Sequence, residues 1–232
     1  MSLFRNAFYW FILLALILIA GFWQSYFSRL GEVEHITHHF HAIAMLGWLA
    51  LLIIQSWLIR NRNNSRHRQI GKASFVVAPA VVLSGFIVTF YSQANAKDPA
   101  SAAAVNIFWF GLFLAILFAV LYTLAIVHRK NMKLHARYMI STAWVFLLPG
   151  LARAIGQYIA PLEIWVPSFF QMMFIPLIFG GWLMFLDWKN KQPLKPFLMS
   201  NLAWVFHILG WMYFYNWGPF RSFAVWSAEN LG

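Results

Sequence analysis

Apolar residues along this chain come in long unbroken runs, without the alternation of a half-buried strand. Seven such runs, at about 7–28, 37–59, 73–93, 105–127, 138–159, 167–187 and 197–216, match the roughly 20 helical residues that span a hydrocarbon core ~30 Å thick. A β-barrel would show ten-residue segments of alternating polarity instead. Pro79, Pro149 and Pro176 fall inside the third, fifth and sixth runs. They predict kinks rather than breaks, because packed neighbours can satisfy the freed carbonyls. The first run reads as an anchor rather than a cleaved leader, since it is long and bulky Phe22 and Trp23 follow it. The longest polar connection, Arg60 to Gln69, is too short to fold alone. The expected fold is therefore all-α: a polytopic membrane bundle of seven transmembrane helices, with residues 1–232 forming a single domain.

Composition agrees with lipid as the solvent. Of the 232 residues, 62% are apolar or aromatic and 10% are charged, against about 45–50% and about 25% in soluble domains. The chain has no Cys, which excludes disulfide scaffolds and thiolate metal sites. The net charge of +11 is explained by its placement. Thirteen of the seventeen basic residues fall on one side if the N-terminus is inside, among them Arg5, Arg60, Arg62, Arg66, Arg68, Lys72, Arg129, Lys130, Lys133 and Arg137. Lys189, Lys191 and Lys195 complete that set. Five of the six acids (Glu32, Glu34, Asp98, Glu163 and Glu229) fall on the other side with Arg29, Lys97 and Arg221. This is the positive-inside pattern, so nucleic acid is not needed as a partner. The expectation is an N-in, C-out protein of a bacterial cytoplasmic membrane, whose partners are the bilayer and a redox or assembly protein within it.

Polar groups inside the runs are the functional candidates, because each is costly there. In the second run His38, His41, Met45, Trp48 and Gln55 fall within about 100° of one another on a helix, with His35 and His39 on the adjoining face. In the fifth, His135, Thr142, Phe146, Pro149 and Arg153 lie within about 40° of a common direction. These helices run in opposite directions. His41 and Arg153 thus make an outer polar layer, and Gln55 and His135 an inner one, with His67 and His128 nearby. The outer run from Glu32 to His41 packs four imidazoles, His35, His38, His39 and His41, into ten residues. Neutral imidazole suits Cu, Zn or Fe ions and haem iron. The alternative is a hydrated helix entrance where His is tolerated at the headgroups. Arg153 requires a partner: Glu163, a backbone carbonyl or an anionic ligand. His207, near the middle of the seventh run, reads as an axial ligand or a hydrogen-bonded interhelical contact.

The sequence resembles a bacterial family of predicted multi-pass membrane proteins with no assigned function. The residues that carry the resemblance run from His41-Ala-Ile-Ala-Met45 through Trp48, Gln55 and Leu58-Ile59-Arg60. They continue through His67-Arg68-Gln-Ile-Gly71, Gly85 and His135-Ala-Arg137-Tyr-Met139 to Arg153. Ala44 stands where the family pattern commonly has Gly. The resemblance singles out the same two layers and implies no reaction. Three functions stay open: a haem b or related redox-cofactor protein using His41, Gln55, His67, His135, Arg153 and His207; a non-haem metal site at His35, His38, His39 and His41, with an oxidase-type or metal-delivery role; and a non-catalytic carrier or assembly module.

The charge split makes topology directly testable. A reporter fused after Lys191 should read cytoplasmic and one at the C-terminus external, as scored by paired phosphatase and fluorescent-protein fusions. The opposite pair of readings would invert both layers.

Overall fold

The computed structural model describes residues 2–33, 35–162 and 169–231, and among these the chain is helical with no strand. Glu34 and Glu163 lie outside the described residues. In chain order the helices are α1 (Ser2–Phe22), α2 (Ile36–Arg60), α3 (Asn64–Gly71), α4 (Ser74–Ala94), α5 (Ala102–Val127) and α6 (Met132–Thr142). They continue with α7 (Trp144–Ala154), α8 (Phe169–Met172), α9 (Phe174–Lys189), α10 (Lys195–Tyr213) and α11 (Gly218–Asn230). By length and composition five helical segments can cross a membrane, Ile36–Arg60, Ser74–Ala94, Ala102–Val127, Met132–Leu162 and Phe170–Lys189. A sixth is added if the bent pair α10–α11 counts as one span. Large apolar side chains point outward, with Val76 74% and Ile178 70% exposed. A face of that kind is stable only against lipid or another apolar surface.

Polar residues at the ends of the runs start the helices. The side chains of Asn63, Ser101 and Asn131 accept hydrogen bonds from the backbone N–H groups of Arg66, Ala104, and Lys133 with Leu134. Each satisfies donors that a first helical turn leaves open. The proline expectations hold unevenly. Pro79 lies within an unbroken α4. The sixth run is interrupted at Met173, three residues before Pro176. The fifth run breaks at Ala143, well before Pro149, where the Thr142 hydroxyl turns back to the Met139 carbonyl at 2.7 Å. Such back-bonding bends helices. After α7 the chain widens into a π turn over Ile155–Ile159.

Packing closes five helical columns into a ring: α1 lies against α2, α2 against α4, α4 against α5, α5 against α6, and α7 returns to α1. The pair α9–α10 packs outside it, with α10 against α5 and α6. This explains why α5 buries most of its surface from Val105 to Ala125, with Ile107, Ile116 and Val120 left facing outward. Trp48, wholly buried, fills the ring with Phe118 (ring centroids 5.0 Å apart), Tyr122 (5.4 Å) and Phe146. The ring closes at α1 and α7 because Gly21 crosses Gly150: a Cβ on Gly21 would overlap the Gly150 carbonyl. Without a hydrophobic drive between helices in lipid, such close backbone approach carries association. We call the end with Arg60, His67 and His135 the basic end, and the opposite one the far end.

Replacing Gly21 with Ala should therefore cost about 1–3 kcal/mol, the usual range for overpacking. Gly181→Ala, where an added Cβ meets nothing within 4 Å, should be neutral or slightly stabilising. Thermal unfolding in detergent distinguishes the two.

Candidate functional site

At the far end, the start of α2 meets α4. The His41 Nδ1 lies 3.2 Å from the Ser84 hydroxyl, which itself donates to the Val81 carbonyl at 3.1 Å. With the hydroxyl hydrogen so engaged, Ser84 accepts from His41 Nδ1–H. The Nε2 of His41 then keeps its lone pair. Arg153 lies close enough for its charge to act on His41. Its own partners are the Pro149 carbonyl at 3.1 Å and the face of Phe22, 4.5 Å from the ring centroid. Of the partners expected for Arg153, the structure supplies the backbone carbonyl.

The other far-end histidines separate into different contacts. His35 caps α2 through Thr37 and stacks on Tyr91 at 4.1 Å, and His38 meets the edge of that ring. His39 donates from Nε2 to the Val33 carbonyl at 3.1 Å, so its Nδ1 accepts from the Tyr26 hydroxyl at 2.9 Å. Both its nitrogens are used. Among the described residues no three His, Cys, Asp or Glu side chains converge as a metal site.

Midway, the Trp48 indole donates to Thr142 Oγ1 at 3.2 Å. The stripes of the second and fifth spans do face each other across the ring. They meet through side chains, and Met45 packs on the same core.

At the basic end the polar groups come from five helices. Gln55 of α2, with its carboxamide oriented to satisfy its neighbours, accepts from the Gly71 N–H at 2.9 Å. Its nitrogen donates to the His67 carbonyl at 3.1 Å and to His67 Nδ1. One side chain thereby holds the middle and the C-terminal end of α3, whose other face exposes Arg66 and Arg68. The Ser74 hydroxyl joins the Gly71 carbonyl (2.7 Å) and the Tyr122 hydroxyl (3.1 Å). His135 donates from Nδ1 to the Ala125 carbonyl at 2.8 Å, which leaves its Nε2 with a lone pair. Burial and the adjacent His135 push the His67 imidazole below its ordinary range, while the bond with Gln55 opposes them. Because Gln55 donates to its Nδ1, the neutral His67 ring carries its proton on Nε2. His128 stands apart, stacked on Tyr138.

Two residues differ from expectation. Arg137, counted above as a loop cation, is 1% exposed and makes a bidentate pair with Asp187 of α9 at 2.5 and 2.6 Å. Asp187 carried a signal: it is the one acid on the basic side, at the end of an apolar run. His207 does not join either layer and is not a hydrogen-bonded contact. It is wholly buried among Phe113, Trp109, Phe110 and Trp204, and neither ring nitrogen has a partner among the described residues. Ser74, Ser84 and Tyr122 were also missed. They are small or amphipathic groups in apolar runs, and only their neighbours reveal their roles.

Comparison with known proteins adds no relative: no family model, curated protein or solved structure matches this chain.

The ion pair yields a stability test. Asp187→Leu strands a buried guanidinium and should cost about 3–5 kcal/mol, whereas the double variant Arg137→Met/Asp187→Leu should recover most of that loss. Unfolding midpoints of both variants check it. A double variant no better than the single one would mean the pair does more than neutralise itself.

Proposed function

We propose that this chain is an integral membrane protein binding redox cofactors of the haem b class at two sites, one held by the imidazole of His41 and the other by that of His135. One observation carries the reading: both histidines have Nδ1–H committed, to Ser84 and to Ala125, and both keep an Nε2 lone pair. Metal-ligating histidines are commonly oriented in this way, their second nitrogen fixed by a hydrogen bond. The donors fit such a group at the two ends of the ring but not at its centre, where Trp48, Phe118 and Phe146 leave no exposed surface to speak of. Two separate sites, rather than one group spanning the ring, are therefore the form the proposal takes.

Haem bound through imidazole supplies one-electron transfer, tuned by ligand and burial. The chain's residues would position it. Ser84 and the Ala125 carbonyl orient the two imidazoles, and Arg153 at the far end, with Arg66 and Arg68 at the basic end, offer cationic partners for carboxylate side groups. Gln55 holds His67 with its Nε2–H as a donor, so His67 is a polar neighbour here rather than a ligand. We read α1, the five long helical segments and α10 as seven crossings with the N-terminus inside, supported by the charge split.

An absorbance spectrum of the purified protein should show a Soret band that shifts on reduction with dithionite. His41→Ala and His135→Ala should each remove cofactor, while His35→Ala and His39→Ala retain most of it. Stoichiometric metal without haem, lost in His35→Ala or His39→Ala, would move the site to the α2 entrance and favour a Cu, Zn or Fe centre. Neither haem nor metal would leave a non-catalytic carrier or assembly module.

A further inference from the structure

Helix α11 turns 84° away from α10. If α10 crosses the bilayer, α11 runs along its surface at the far end. Trp217, Phe223 and Trp226 are exposed there, as expected of side chains at headgroup depth. The helix is fixed in place from within: Gln93 donates to the Ala224 and Pro99 carbonyls at 3.2 and 2.9 Å. Beside it lies a groove of about 360 Å³ lined by Ala100, Arg221, Ser222, Val225, Trp226 and Glu229.

The groove holds opposite charges that do not neutralise each other. Arg221 and Glu229 are eight residues apart on α11, or ~12 Å along its axis. They form no ion pair with each other, the ion pairs among the described residues being Arg29–Glu32 and Arg137–Asp187. Arg221 donates from Nε to the Ala100 carbonyl at 3.2 Å, which sets its guanidinium at the groove and leaves its terminal nitrogens to donate elsewhere. Ser222 adds a hydroxyl, and Trp226 an exposed aromatic face suited to an ammonium group. A simple anion would meet Glu229, and a simple cation would meet Arg221. Lys97 and Asp98 of the α4–α5 connection cancel one another, so the surroundings favour neither sign.

We propose that this groove binds the headgroup of a zwitterionic phospholipid, its phosphate on Arg221 and Ser222 and its ammonium between Trp226 and Glu229. The full-length protein in detergent, titrated with phosphatidylethanolamine or phosphatidylglycerol of identical acyl chains, tests this by native mass spectrometry. Phosphatidylethanolamine should be retained about tenfold better, one charge-assisted contact being worth roughly that factor. Glu229→Gln should abolish the preference while sparing phosphatidylglycerol binding, and Arg221→Gln should weaken both. Both side chains are exposed, and unchanged melting midpoints would show that the variants fold. Equal retention of the two lipids by the unaltered protein, or a preference that survives Glu229→Gln, would overturn the assignment.

Discussion

In hydrocarbon a polar side chain finds no water, so it must find its partner within the protein. The architecture follows from that constraint. The second and fifth spans carry a column of polar groups each, and neither column can face lipid. The ring of α1, α2, α4, α5 and α6–α7 gathers most of both columns, with Arg153 left exposed at the far end, and the Gly21–Gly150 crossing lets it close.

Within the ring the polar groups divide into three tiers that share few atoms. His41 and Ser84 form the far tier, Trp48 and Thr142 the middle, and Gln55, His67, Ser74, Tyr122 and His135 the basic one. In each tier the donors are oriented by a backbone carbonyl: Val81 for Ser84, Met139 for Thr142, Gly71 for Ser74 and Ala125 for His135. This is why the helix breaks matter. The interruption at Ala143 accompanies the Thr142 back-bond that aims its oxygen at Trp48, and at the C-terminal end of α3 Gln55 donates to the His67 carbonyl and accepts from the Gly71 N–H. Irregular backbone is tolerated at such depth only when buried side chains satisfy it, as they do here.

Outside the ring the chemistry is different. Arg137 and Asp187 tie α6 to α9, a pair that neutralises itself in a dry interface and sits two residues from His135. His207 lies in an aromatic box between α10 and α5, its ring nitrogens without a hydrogen bond among the described residues, where an unsatisfied imidazole carries a desolvation cost of about 1–3 kcal/mol. These two sites share a helix pair, α9–α10, that packs against the ring without contributing to its polar tiers.

Sequence alone determined the helical class, the approximate position of every apolar run and the two faces on which the polar residues lie. Each depends on composition and on the 3.6-residue period, and both are local. The candidates His41, Gln55, His135 and Arg153 were legible for that reason, since a polar group in an apolar run is conspicuous wherever the run packs. What those groups touch was decided by the tertiary structure. Ser84, Ser74, Tyr122 and the Ala125 carbonyl are unremarked in sequence because a hydroxyl or a carbonyl acquires a role only from its neighbour. His35, His38 and His39 are close in sequence yet face Tyr91, Tyr26 and the Val33 carbonyl, since successive helical residues point 100° apart. Arg137 passed for a loop cation until Asp187, 50 residues away, was packed against it. Long-range pairing selects one partner from many of equal local merit, and no local pattern records that selection.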